Sequence, residues 1–389
     1  MSESQHKFPS LALLFISFLR LGLTAFGGPA MVTYIKELSV KHNHWLDEDT
    51  FKDGIVICQT IPGATAMQTA AYVGFRVRGV KGALATYIGF GLPAFVIMLV
   101  LSFLYVRFHN LNQVTILFRG LAVIVVAIVA NATFSFGRES VKNYREFLIA
   151  VLSAILFWTG MSPFLVIIVA GIIGMLLFMR EKHGSHLALK EKANRKIYIQ
   201  IGFLFVLLLF VLSVLFYADT KLFTLAGLML KIDTFTFGGG FASLPLMLHE
   251  IVEVRGWMDN RTFMDGIALG QITPGPIVIT ATFVGFILSG VAGAVVATIA
   301  VFTPSFLILI TVTPFFDRLK NSELFFKVAK GVLSSFVGLL FFVTIKFASV
   351  VSWDAVKVFV GLAALIALIR KVNILYVVLI GAGISLILL

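Results

Sequence analysis

Hydrophobic positions in this chain fall in long unbroken runs, not in the narrow stripes of a soluble helix. Apolar stretches cover 11–28, 51–75, 80–106, 114–136, 146–160, 163–179, 198–216, 222–240, 263–286, 293–314, 331–347, 354–370 and 373–389. Most are long enough to cross a hydrocarbon core about 30 Å thick as helices. The pattern predicts about thirteen helical spans, of which 146–160 with 163–179, and 354–370 with 373–389, are short and suit tilted or paired hairpins. The first ten residues are polar and the run that follows has no small-residue cleavage pattern, so no cleavable signal is expected.

The polar seams are basic on alternate sides. The richest, from Arg180 to Lys196, carries Arg180, Lys182, Lys190, Lys192, Arg195 and Lys196. Placing it in the cytoplasm also puts Arg138, Lys142 and Arg145, then Arg76, Arg78 and Lys81, then Arg318 with Lys320 and Arg370 with Lys371, inside. The N-terminus is then expected in the cytoplasm and the C-terminus outside.

The runs also repeat. Trp45, Asp47, Thr50, Phe51, Asp53, Gly54, Ile55, Gln59, Pro62 and Gly63 each recur 212 positions later, as Trp257 does after Trp45. At a spacing of 211, Phe26-Gly27-Gly28 matches Phe237-Gly238-Gly239, and Gly79, Gly82, Pro93, Arg107 and Gly120 match Gly290, Gly293, Pro304, Arg318 and Gly331. The loop over 76–81 is strongly basic, whereas its counterpart over 287–292 has no charge. That difference suits two repeats of about six spans inserted in opposite directions and joined by one extra helix, a secondary-transporter signature. The expected units are an N-terminal repeat over 1–180, a basic linker with a connecting helix over 181–217, and an inverted repeat over 218–389.

Composition agrees with the membrane reading. Apolar residues make up 59% and charged residues 13%, against about 25% charged in an ordinary soluble domain. The formal charge of +12 lies in short loops and reads as topology, which sets nucleic-acid binding aside. One cysteine, Cys58, and seven histidines without ligand spacing predict no disulfide, metal or other cofactor. No span pairs a nucleophile with a base, so an enzyme is not expected.

The candidate chemistry lies at the breaks. Pro62-Gly63 and Pro274-Gly275 stop a helix near its middle, either as a kinked span or as a re-entrant hairpin. A helix restarting there would aim free N–H groups and a partial positive charge inward, with Thr273 as a plausible cap of the second restart. Thr50 with Asp53, and Thr262 with Asp265, fit a capping pattern at the outer ends. Two roles are open to Gln59 and Gln271, lining a polar site or satisfying carbonyls freed by the break. Phe26-Gly27-Gly28 and Phe237-Gly238-Gly239 serve either close helix packing or a ligand loop. Arg20 and Lys231, a matched pair inside apolar runs, are candidate anion-binding groups; Asp233, opposite Gly22 in the repeat, is a candidate coupling carboxylate. His249-Glu250 reads as a solvated face.

These paired Phe-Gly-Gly motifs, paired Gln-x-x-Pro-Gly segments and the duplicated length resemble the long, two-domain chromate ion transporters. The resemblance covers nearly the whole chain and is strongest at 19–31, 45–75, 230–241 and 257–286. It implies a multi-pass protein of the bacterial inner membrane that exports chromate, with sulfate as analogue or exchange partner. Substrate-binding residues are then expected at Arg20, Phe26, Gly27, Gly28, Gln59, Pro62, Gly63, Lys231, Phe237, Gly238, Gly239, Gln271, Thr273, Pro274 and Gly275. Alternatives in other classes are a passive anion channel and a transporter of another small solute. Proton coupling and a homodimer are further open expectations.

Overall fold

The computed structural model describes residues 9–26, 30–179, 195–315 and 322–388, which are helical with no strand among them. The first half contains α1 (Leu11–Thr24), α2 (Ala30–Lys36, continued by a π-helical segment Glu37–His42), α3 (Glu48–Thr60), α4 (Thr65–Phe108), α5 (Asn112–Ser140), α6 (Tyr144–Trp158) and α7 (Pro163–Leu177). After α8 (Arg195–Ala218) come α9 (Thr220–Thr234), α10 (Ser243–Met247, continued by Leu248–Val254), α11 (Asn260–Ile272), α12 (Thr280–Val312), α13 (Glu323–Val350), α14 (Ala355–Ile369) and α15 (Ile374–Leu388).

Five helical segments are long and apolar enough to cross a bilayer: Thr65–Phe108, Asn112–Ser140, Lys196–Ala218, Ile277–Phe315 and Glu323–Val350. The other apolar runs of the sequence form shorter helices, several of which fold back. The Tyr72 hydroxyl donates to the Thr50 carbonyl at 3.1 Å, although 22 residues of one continuous helix would separate them by about 33 Å. Helix α3 and the start of α4 are therefore antiparallel, a hairpin turned at Pro62-Gly63. The chain turns again inside α4, where Gly79 has φ +62°, and a Cβ on Gly74 would lie 2.2 Å from the Gly82 carbonyl oxygen. The second half repeats both turns: Gly266 faces the Phe283 ring, Gly290 has φ +59°, and Gly285 meets the Gly293 carbonyl.

The short terminal pairs are hairpins, as their lengths suggested. Arg145 Nη1 donates to the Leu177 carbonyl, tying the start of α6 to the end of α7. The α14–α15 turn repeats the α6–α7 turn, with Lys371 (φ +64°) at the place of Gly160 (φ +87°). Each terminal pair packs on the long helix of the opposite half: α6 and α7 on α13, α14 and α15 on α5. Small residues permit this, since a Cβ on Gly338 or Gly331 would lie about 2 Å from the Ala150 or Ala170 carbonyl. The two long helices meet where Thr133 and Thr344, equivalent positions, hydrogen-bond at 3.1 Å. Helix α8 lies outside this body, with 6% of its most apolar window buried.

The caps differ from the sequence expectation. Asp47 and Asp259 cap α3 and α11, accepting from the amides of Thr50 and Thr262, because a residue at the N-cap reaches the amide three positions on, which has no partner within the helix. Asp265 is instead buried, where it accepts from the Tyr105 hydroxyl at 2.9 Å. The Thr50 amide and hydroxyl hold Asp47 below the usual carboxylate range. A lowered folded-state value means its contribution is present above the unfolded carboxylate pKa and fades as pH falls through the folded one. Asp47→Ala should cost about 1 kcal/mol, read as a lower melting temperature whose gap to the parent closes under acid.

Candidate transport site

The two Pro-Gly breaks meet the chain just past the ends of α9 and α1, at Thr236 and Ala25, and the Pro-Gly sequences explain how. A residue before proline is held extended, and both Ile61 (ψ 155°) and Thr273 (ψ 141°) end their helices that way. Gly63 then takes φ +126° and Gly275 φ +118°, which lets the chain reverse without a Cβ in the way. Helices restart at Thr65 and at the 3₁₀ turn Ile277–Ile279, later than Pro62 and Pro274, and neither restart has a side-chain cap. Thr273 is thus the C-cap of α11, not the cap of the next helix, and its hydroxyl donates back to the Gly270 carbonyl. The first-turn amides of each restart have no partner within the helix and give that end partial positive charge.

Each Pro-Gly tip is bonded to the glycine loop of the other half. The Gly63 amide donates to the Thr236 carbonyl at 2.6 Å, and the Gly275 amide to the Ala25 carbonyl at 3.0 Å. These are equivalent bonds, one from each repeat. Gly238 and Gly239 have φ +88° and +100°; a Cβ on Gly238 would meet the Phe136 ring, while Gly239 faces Thr65 at the restart of α4. Phe26 and Phe237 are half-buried beside the loops. Gly27 and Gly28 lie outside the described residues.

A polar cluster fills one side of the convergence. Asp233, fully buried, accepts at Oδ2 from the Ser305 amide and hydroxyl, both at 2.7 Å. Gln68 Nε2 donates to the Pro62 carbonyl at 2.6 Å and to the Ser305 carbonyl at 3.4 Å. The Tyr87 hydroxyl donates to the Phe302 carbonyl at 2.8 Å and lies 3.4 Å from the Ser305 hydroxyl. Gln68, one turn into the restarted helix, thus satisfies a carbonyl freed by the break, one of the two roles open to Gln59. Gln59 is exposed and Gln271 half-buried.

The two basic residues are not equivalent. Lys231 Nζ donates to Glu250 at 2.6 Å and stands 3.8 Å from the centre of the Phe164 ring. Arg255 contacts the other oxygen of the same carboxylate. Glu250, read from the sequence as part of a solvated face, is 5% exposed. Glu253 joins the cluster through His249 and Lys346. Lys231 is therefore a paired cation. Arg20 is exposed on α1 and has no acidic partner among the described residues. Lys231 and Arg255 share Glu250, and Lys346 pairs with Glu253, so these ion pairs hold three cations and two carboxylates.

Comparison with known proteins places the chain among transporters. A family model described as chromate transporter matches residues 12–175 and 223–386, one match in each repeat. An uncharacterised transporter of Methanocaldococcus jannaschii is 45% identical over 96% of this chain and 93% of its own length. A chromate transport protein of Cupriavidus metallidurans is 29% identical over 86% of this chain and 82% of its own. A probable chromate transport protein of Synechococcus elongatus is 29% identical over 93% and 91%. No solved structure matches.

Proposed function

The chain belongs to the chromate transporter family, and on that premise we propose that it is a secondary transporter exporting chromate, or exchanging it for sulfate, across a cytoplasmic membrane by alternating access. The observation that carries this reading is the reciprocal bonding of the Pro-Gly tips, Gly63 to Thr236 and Gly275 to Ala25. It brings uncapped helix starts from both halves to one place, where partial positive charge from backbone amides suits an oxyanion. Pro62, Gly63, Pro274 and Gly275 shape that place, Phe26, Phe237, Gly238 and Gly239 border it, and Arg20 supplies the free charge. Lys231 acts there through its pair with Glu250.

Inversion of the two repeats, 1–180 and 218–389, is supported by where the hairpins open. Arg78 Nε bonds to the Pro9 carbonyl at one end of the second arm of α4, while Tyr105 bonds to Asp265 of the other hairpin near its far end. Those contacts lie about 40 Å apart along the helix, more than the hydrocarbon thickness. Five helical segments long and apolar enough to cross, with the shorter helices folded as hairpins, give an odd count as thirteen spans do, which supports termini on opposite faces with the basic side and the N-terminus cytoplasmic.

Chromate uptake by everted vesicles tests the assignment. Arg20→Gln should slow the initial rate about tenfold or more, since one charge-assisted contact contributes about 1.5–3 kcal/mol, with the amount of protein in the membrane unchanged. Wild-type rates in that variant would remove Arg20 from the site. Accumulation above the equilibrium level separates a coupled transporter from a channel, which only equilibrates.

A further inference from the structure

The two repeats agree at the Pro-Gly tips and disagree beside them. Gly63 abuts Ser305, and its equivalent Gly275 abuts Ala94, the residue equivalent to Ser305. At the 211-residue spacing, Asp233, Ser305, Gln68 and Tyr87 stand where the other copy has Gly22, Ala94, Ile279 and Thr298. One tip thus lies against a carboxylate, a hydroxyl, an amide and a phenol, and the other against small, apolar or weakly polar groups.

The polar tip also holds two unsatisfied acceptors. Asp233 Oδ1 and Gln68 Oε1 are buried without a hydrogen-bond partner, on two residues that are both fully buried and both bonded to Ser305. Leaving a buried acceptor unpaired costs about 1–3 kcal/mol, more for a charged one. Two acceptors in one cluster call for a donor. The Tyr87 hydroxyl is committed to the Phe302 carbonyl. The Ser305 donors are already on Asp233 Oδ2. The bases nearest along α9 and its neighbours, Lys231 and Arg255, are turned to Glu250, and His249 to Glu253. Among the described residues Tyr87 is the one other titratable side chain bonded into the cluster, and none of these groups donates to Oδ1.

We propose that Asp233 is the coupling group of this transporter: it takes up one proton at Oδ1, with Gln68 Oε1 the acceptor in the same cluster, and passes its state to the Pro62-Gly63 tip through Ser305. The inference rests on the transporter reading and adds which ion moves and which hairpin senses it. Ionised, Asp233 holds the Ser305 amide and hydroxyl as charge-assisted donors. Protonated at Oδ1, it keeps Oδ2 as a weaker, uncharged acceptor for Ser305 and gains a donor toward Gln68, whose amide nitrogen bonds to Pro62. The proton comes from water on one face and leaves to water on the other, and the carboxylate is unchanged after a cycle. Because the equivalent position is Gly22, the other repeat has no counterpart of this carboxylate.

Two measurements on the full chain test this, one independent of substrate. In proteoliposomes, Asp233→Asn should lose chromate accumulation driven by an imposed pH gradient by about tenfold or more, a loss in the range of coupling between sites. Chromate counterflow with equal chromate on both sides should persist. Asparagine keeps an acceptor for Ser305 and a donor for Gln68, so it mimics the protonated state. In infrared titration without any anion, the wild type should show a carboxylic-acid C=O band that Asp233→Asn lacks. Absence of that band, gradient-driven accumulation surviving in the variant, or a sodium gradient driving uptake at clamped pH would each overturn the proposal. The band without chromate flux in the wild type would support the proton site and remove chromate as the substrate.

Discussion

Gly63→Ala should abolish chromate flux and lower thermal stability by more than the equivalent Gly275→Ala. Its φ of +126° is a conformation L-residues rarely adopt, and a Cβ there would lie 2.2 Å from Ser305 Cβ and 2.7 Å from Gln68 Nε2. Adopting a positive φ costs a non-glycine residue about 1–2 kcal/mol, and overpacking a filled core adds about 1–3 kcal/mol. The displaced atoms belong to Ser305 and Gln68, which hold Asp233 and Pro62, so the site is disturbed along with the fold. Gly275→Ala shares the strain (φ +118°) but meets only Ala94 Cβ at 2.8 Å, so its effect should be smaller. Gly79→Ala, at φ +62° with nothing within 4 Å, should show the conformational cost alone. Melting curves of detergent-solubilised protein, with flux in proteoliposomes, read the order Gly63, Gly275, Gly79. A Gly63→Ala protein with parental melting and flux would refute the packing at the tip.

Much of this arrangement was legible in the sequence, and the parts that were not have physical reasons. The duplication, the breaks at Pro62-Gly63 and Pro274-Gly275, and the paired short helices follow from composition and spacing, because proline and glycine act locally. Direction after a break is not local. A kink and a reversal use the same Pro-Gly pair, and only contacts such as Tyr72 to Thr50 distinguish them. One signal was present: glycines on both sides of each turn, Gly74 and Gly82 about Gly79, Gly285 and Gly293 about Gly290, spaced to let two helix backbones touch. Reading those reversals would have replaced several of the thirteen spans with hairpins.

The polar residues were harder to place. Asp233 stands out in the sequence because its partner in the repeat is glycine, whereas Gln68 lies six residues past Pro62 and only the reversal there brings its amide onto the Pro62 carbonyl. Glu250 was hidden differently. The acid on the helix of Lys231 is Asp233, two residues away and off its face. The partner of Lys231 is 19 residues on, in a segment whose π-helical turns give little sequence signal, and tertiary packing alone brings it back to α9.

That pair sets the last expectation. Glu250→Gln should destabilise the protein strongly while Lys231→Gln does so mildly. The Glu250 side chain is 7% exposed and serves both Lys231, at 2.6 Å, and Arg255. Removing its charge strands two cations, one of them seated over the Phe164 ring at the start of α7. The two cations left behind are 47% and 30% exposed, so the loss is that of two charge-assisted contacts, about 1.5–3 kcal/mol each before screening by water. The Lys231 side chain is 47% exposed and its loss leaves Glu250 still bonded to Arg255, so the penalty there should be near that of a solvent-screened pair, about 1 kcal/mol or less. The double variant Lys231→Gln with Glu250→Gln should recover part of the Glu250→Gln loss, because only Arg255 then lacks its acid. Melting temperatures of the three variants decide the stability order; equal losses for both single variants would show that Lys231 and Arg255 do not share this carboxylate. Flux decides the role of the lysine. If Lys231 serves through its pair with Glu250, Lys231→Gln should retain chromate counterflow that Arg20→Gln loses, because the exposed arginine, and not the paired lysine, has charge left to offer an anion.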